Sequence, residues 1–191
     1  RSGMSARALE FVAVTAARSG EVRGAAWAEF DLDAKLWTIP GERMKAGKEH
    51  RIPLTAEAVA LLKALPRLEG SDFVFPAPRG GMLSDMALTA VMRKLHAADL
   101  EAEQGGFVDR ASGRPAVPHG LRSTFRDWAA ELTDYPRDMA EIALAHTVGS
   151  DVERAYRRGD MLDKRRQMMA AWQRFLRGET APKVVKLEAA R

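Results

Sequence analysis

One stretch, LWTIPGERMKAGKEHRIPL (residues 36–54), dictates more of the fold than any other. Its arms, LWTI and RIPL, read as strands. KAGK between them holds Gly47, which can take the positive φ of a tight turn. The pattern predicts a β-hairpin. Pro40 and Pro53 cannot donate to a ladder, so the pairing is short or lies at an edge. The apolar run DFVFPA (72–77) is the expected third strand. EFDLD (29–33) reads as a turn between helix and strand, not as a two-metal carboxylate site.

The remainder reads as helix and loop. MSARALEFVAVTAA (4–17) predicts a buried helix, followed by a short helical piece in EVRGAAW. Thr55 is placed to cap AEAVALLKAL, which Pro66 stops, and Ser84 to cap a helix over 85–98. Residues 101–118 are rich in glycine and polar side chains and read as a loop. Helices follow in HGLRSTFRDWAAEL after Pro118, in PRDMAEIALAH with Pro136 in the first turn, and in DMLDKRRQMMAAWQRFLRG. There is no internal repeat. The expectation is an α+β fold, mainly helical, with a small antiparallel three-stranded sheet in the N-terminal part. Residues 1–177 form one domain, and 178–191 a tail that is mobile unless it docks.

Composition narrows the class. At 191 residues and 46% hydrophobic, the chain can build a sizeable core. No apolar run approaches the ~18 residues of a membrane span. There is no cysteine, which excludes disulfides and thiolate metal sites and fits a cytoplasmic protein. The chain opens on Arg1 with no signal-peptide hydrophobic region, as expected of a piece of a longer protein. Net charge is +4, with six basic and two acidic residues between Arg154 and Arg166. Such a face suits a polyanion, but charge alone is equally explained by a solvated helix.

Four places could carry chemistry. His119 and Arg122 lie one helical turn apart at a helix start, where backbone N–H groups favour an anion. Alone, the pair is better explained by a capping histidine and a surface arginine. Arg18 ends an apolar helix and could be aimed into a site by Glu21, or simply be paired with it. The hairpin tip carries Lys45 and Lys48, commonplace at a turn, although a lysine there could protonate a leaving oxygen. Tyr156 lies within ERAYRR, and the charge on both sides argues against core burial. A phenol of pKa ~10 needs a base or strong positive charge to act as a nucleophile.

In combination these places resemble the catalytic domain of the tyrosine recombinases, the phage integrase family, from about residue 8 to 176. ARSGEV resembles the Arg-x-Gly-Glu box, MKAGKEHRIPL the lysine hairpin, and HGLRSTF the His-x-x-Arg box. LAHTVGSDVERAY resembles the Leu-Gly-His box with its following tyrosine. WTIP, FRDWAAE and LAHTVG are most like prophage and genomic-island integrases. Two departures stand out: Ala145 replaces the usual glycine, and two lysines compete at the hairpin. Alignment on Ile-Pro-Leu favours Lys45 over Lys48.

The resemblance implies site-specific recombination of double-stranded DNA for integration or excision, without metal, cofactor or ATP. It makes Tyr156 the nucleophile, giving a 3′-phosphotyrosine and a free 5′-hydroxyl. Arg18 and Arg122 become the phosphate clamp, Lys45 the general acid and Glu21 the support of Arg18. His119 assists proton transfer at the tyrosine, and His146 hydrogen-bonds the phosphate. Arg154, Arg157 and Arg158 match no catalytic position and are assigned to DNA backbone contact or packing. His50 fits a satisfied strand histidine or a phosphate contact. The family adds DNA-binding domains ahead of this one and works as tetramers on DNA, though a fragment could be monomeric. Two alternatives are a non-catalytic DNA-binding regulator and a type IB topoisomerase-like relaxing enzyme. The complete residue set disfavours the first. The Leu-Ala-His box and its short spacing to Tyr156 disfavour the second.

Overall fold

A computed structural model describes residues 3–109, 112–149 and 159–179. In chain order the helices are α1 (Met4–Thr15), α2 (Ser19–Arg23), α3 (Ala56–Lys63), α4 (Ala87–Glu101), α5 (Gly120–Glu131), α6 (Arg137–Ala143) and α7 (Leu162–Leu176). Strands β1 (Phe30–Asp31), β2 (Leu36–Ile39) and β3 (His50–Pro53) form one antiparallel sheet in the order β1-β2-β3. The α+β, mainly helical class is as expected, and so is the hairpin, with Gly47 at φ 64° in its turn.

The third strand is not the expected one. Phe30 pairs with Trp37 and stacks on it, ring centroids 5.2 Å apart. The 72–77 run instead pairs with the connection after α2, where Val74 N–H donates to the Ala25 carbonyl at 2.8 Å. It thereby buries Val74 and Phe75 completely. Residues 29–33 are not the expected turn between helix and strand: Phe30–Asp31 is itself β1, and the turn follows it and joins β1 to β2, with Asp31 Oδ1 accepting from the N–H groups of Asp33 and Ala34. Ser84 does not cap α4: that helix starts at Ala87 behind Met86, with no side-chain cap. Thr55 does cap α3, accepting from Ala58 N–H at 3.2 Å. Pro136 is the N-cap of α6 rather than a first-turn residue, its extended ψ of 136° preceding Arg137.

Alternation along β2 decides which side chains enter the core. Trp37 and Ile39 point inward and are fully buried. Directly paired residues share a face, so Ile52 opposite Trp37 and His50 opposite Ile39 are buried too. A first core forms where α1, α3 and α4 cover this sheet, with Phe11 against Trp37 and Phe75. A second core joins α5, α6 and α7 around Trp172, whose ring meets Phe125 at 5.3 Å and Trp128 at 5.2 Å. Each such aromatic contact adds ~0.5–1.5 kcal/mol beyond area burial. Helix α1 serves both cores, for Trp172 Nε1 donates to the Ala13 carbonyl at 2.8 Å. The end of α1 therefore lies on the seam between them, with Ala16 in the second core and Ala17 in the first.

Candidate active site

Two helices end at this seam. α1 stops at Ala16, which takes a left-handed φ of 52°. α6 stops at Leu144 and is followed by Ala145 at φ 51°. The Ala145 N–H donates to the Ile142 carbonyl at 3.0 Å, and the His146 N–H to the Glu141 carbonyl at 2.9 Å. That pair of bonds is a Schellman motif, which normally takes glycine at the left-handed position. It gives the physical reason for a glycine in the Leu-Gly-His pattern, and Ala145 occupies the same conformation against its Cβ preference.

Helix C-termini present unpaired carbonyls and the negative end of the helix dipole. Arg122, one turn into α5, meets both ends. Its Nη1 donates to the Ala16 carbonyl and its Nη2 to the Leu144 carbonyl, each at 2.6 Å. It is 4% exposed. Arg18 reaches the adjacent Ala145 carbonyl at 3.4 Å through Nη2. Its Nη1 is held by Glu21 Oε1 at 2.7 Å, while Glu21 Oε2 accepts from the Arg18 backbone N–H at 2.8 Å. The expected Arg18–Glu21 pair is thus present, with Glu21 buried and Arg18 half-buried. Burial and then the nearby Arg18 charge lower the Arg122 pKa to about 10. Two guanidiniums converging in this way favour an anion between them.

His146 completes the cluster. Its Nε2 lies 3.4 Å from Arg122 Nη2, and its Nδ1 lies 2.5 Å from Glu141 Oε2. Glu141 Oε1 accepts from Arg126 Nε at 2.8 Å. Burial would raise the Glu141 pKa, but the bonds from His146 and Arg126 outweigh it and hold the carboxyl below its ordinary range. An ionised carboxylate only accepts, so His146 Nδ1 carries the proton.

Beside the cluster opens a cleft of about 690 Å³, lined by Met44, Lys48, His50, Ala145, His146 and Asp160 among others. Lys48 faces it. Lys45 is exposed on the hairpin tip and is not among the lining residues. His119 is exposed at the start of α5. On the far wall Asp160 binds Arg51 at 2.9 Å and Arg165 at 2.7 Å. Arg165, 1% exposed, also donates to the Arg51 carbonyl at 2.7 Å and the Asp160 carbonyl at 2.8 Å. This network ties β3 to the start of α7. Tyr156, Arg154, Arg157 and Arg158 lie outside the described residues, as does most of the expected tail.

The structure therefore brings Arg18, Glu21, Arg122 and His146 together. Sequence reasoning missed Glu141, Arg126, Asp160 and Arg165, and left His50 between a satisfied strand histidine and a phosphate contact. Glu141 is five residues before His146, a spacing that meets only through a left-handed residue at 145. His50 could have been found from its place opposite Ile39.

Among the described residues no helix is long and apolar enough to cross a membrane, and no group of acidic or histidine side chains could hold a metal ion. The prophage integrase IntA of Escherichia coli (strain K12) is 34% identical over 176 residues, covering 90% of this chain and 38% of that protein. The integrase of Enterobacteria phage P4 is 30% identical over 189 residues, covering 91% and 40%. The chain thus spans about two fifths of these curated relatives. Among solved structures, XerA recombinase has a TM-score of 0.51 at 17% identity, covering 90% of this chain and 63% of that one. A lambda integrase (75-356) dimer bound to a COC′ core site also scores 0.51, at 21% identity, covering 96% and 56%. These two likenesses speak to the fold. The family described as the phage integrase family matches residues 2–162, and the chain belongs to it.

Proposed function

We propose that this chain is the catalytic domain of a site-specific recombinase that cuts and rejoins double-stranded DNA to integrate or excise a mobile element. The observation that carries the reading is the convergence of Arg18, Arg122 and His146 on the ends of α1 and α6. Residues far apart in sequence meet there as a cationic pocket beside an open cleft. The relatives are named as integrases, and the solved lambda integrase is bound to its DNA core site.

In this reading Tyr156 attacks the scissile phosphate, forms a 3′-phosphotyrosine bond and expels a 5′-hydroxyl. The 5′-hydroxyl of a partner strand reverses the step, so the bond energy is conserved and no ATP is consumed. Negative charge on the non-bridging oxygens is met by Arg18 and Arg122, whose guanidiniums are already fixed before substrate arrives. Their positions need no reorganisation, because Glu21 holds one and two carbonyls hold the other. His146 donates to the phosphate through Nε2–H as the imidazolium, its Nδ1–H staying on Glu141, and His119 assists proton transfer at the tyrosine. Lys45 is the general acid for the leaving oxygen, with Lys48 the alternate that lines the cleft. Losing one charged donor costs on the order of 10²–10³ in rate. On DNA the protein acts as a tetramer.

The test uses nicked duplexes drawn from the DNA flanking the gene for this chain. A nick beside the crossover point lets the released fragment diffuse away and traps the covalent product. Wild type should give a denaturant-resistant protein–DNA adduct, and Tyr156→Phe none. No adduct from wild type, or an equal amount from Tyr156→Phe, overturns the proposal.

A further inference from the structure

We propose that Glu141 is a positioning residue that sets the tautomer and orientation of His146; its catalytic consequence rests on the function proposed above. The Schellman motif brings the side chains of the third helical residue from the end and of the second residue beyond it into contact, usually as an apolar pair. Here those two residues are Glu141 and His146, and a carboxylate–imidazole bond of 2.5 Å takes the place of the apolar contact. Three features fix the carboxylate. Its other oxygen accepts from Arg126 Nε at 2.8 Å. Its own backbone carbonyl accepts from the His146 N–H at 2.9 Å. Its side chain is 14% exposed, against 41% for His146.

The consequence for the imidazole is specific. With Nδ1–H committed to Glu141, only Nε2 is left for the cleft: it accepts from Arg122 Nη2 in the neutral ring, and it donates to an anion there once the ring takes up a second proton. Without Glu141 the ring could flip or change tautomer and offer either nitrogen. A carboxylate that orients a histidine by accepting from its far nitrogen is a recurrent device in catalytic and metal-binding sites. Arg126 acts one step further out, holding the carboxylate in the rotamer that reaches His146.

Nitrogen-15 NMR of the histidine rings tests the tautomer on the free chain, with no DNA. In wild type His146 should be the Nδ1-protonated form. Glu141→Gln should leave it mixed, because one amide oxygen cannot accept from both Arg126 Nε–H and His146 Nδ1–H. Glu141→Ala should shift it toward the Nε2-protonated form. The second arm measures adduct formation on the nicked duplex. Glu141→Ala should slow it by about 10- to 100-fold, the usual effect of losing an orienting partner. Glu141→Gln should fall between wild type and Glu141→Ala. Glu141→Ala should have no further effect in a His146→Ala background. An unchanged tautomer in Glu141→Ala, or effects of Glu141→Ala and His146→Ala that multiply, overturns the proposal. If wild type forms no adduct, the recombinase reading fails while the NMR arm still decides the positioning role. Thermal melts of both variants confirm that folded protein is compared.

Discussion

Mild acid should weaken this protein through His50. The ring occupies an inward position of β3 opposite Ile39 and is 9% exposed. Its pKa is lowered from 6.5 to about 4, first by burial and next by Arg165; Glu21 and the Ala143 carbonyl pull the other way, and Arg18 adds to the lowering. A base whose pKa is depressed by folding binds fewer protons folded than unfolded. Its stabilising contribution is therefore complete above pH 6.5 and is lost as pH falls toward 4. The gap of about 2.5 pKa units sets a ceiling of about 3.4 kcal/mol, and linkage puts the loss by pH 5 at about 2 kcal/mol. Glu141 and Asp160 have lowered pKa values, so their contributions hold above the ordinary carboxylate range and fade at more acid pH. The window from pH 7.5 to 5 leaves those carboxylates out, and the comparison with His50→Asn separates His50 from the other three histidines. Urea unfolding followed by tryptophan fluorescence across that window should show wild type losing about 2 kcal/mol more than His50→Asn. Parallel acid limbs for the two proteins, or an NMR titration placing His50 near 6.5, would refute the reasoning.

Two further predictions concern stability. Arg165→Met should cost about 1–3 kcal/mol, since it leaves the buried carbonyls of Arg51 and Asp160 without their donor while Arg51 still pairs with the Asp160 carboxylate. The denaturant midpoint measures this, and a loss below about 1 kcal/mol would mean the network is dispensable. Ala145→Gly should stabilise by about 0.5–1 kcal/mol, because glycine takes the left-handed conformation without a Cβ penalty. A lower thermal midpoint for that variant would contradict it.

How much the sequence disclosed depended on whether a contact was written in local spacing. The hairpin was legible because strand-forming arms and Gly47 sit next to one another. The Arg18–Glu21 pair was legible because residues three apart lie on one face of a helical turn. Phe30–Asp31 escaped notice as a strand because two residues carry no alternation; stacking on Trp37 makes it one. Ser84 was a sound cap by residue type, but α4 begins too late to use it. The Glu141–His146 bond was hidden because it requires a left-handed residue between them, and alanine gives no sign of one. Asp160 and Arg165 meet Arg51 across more than a hundred residues, which no local pattern encodes.

Arg122 has a consequence for how this domain can decay. It fastens the ends of two helices across the seam between the two cores. A descendant released from selection for activity could replace exposed Lys45, Lys48 or His119 and remain folded. Replacing Arg122 would open the seam and expose the chain to proteolysis before any loss of chemistry mattered. Fossil copies that persist as folded proteins should therefore keep this arginine longest. Its presence in a sequence testifies to an intact scaffold as well as to a phosphate site.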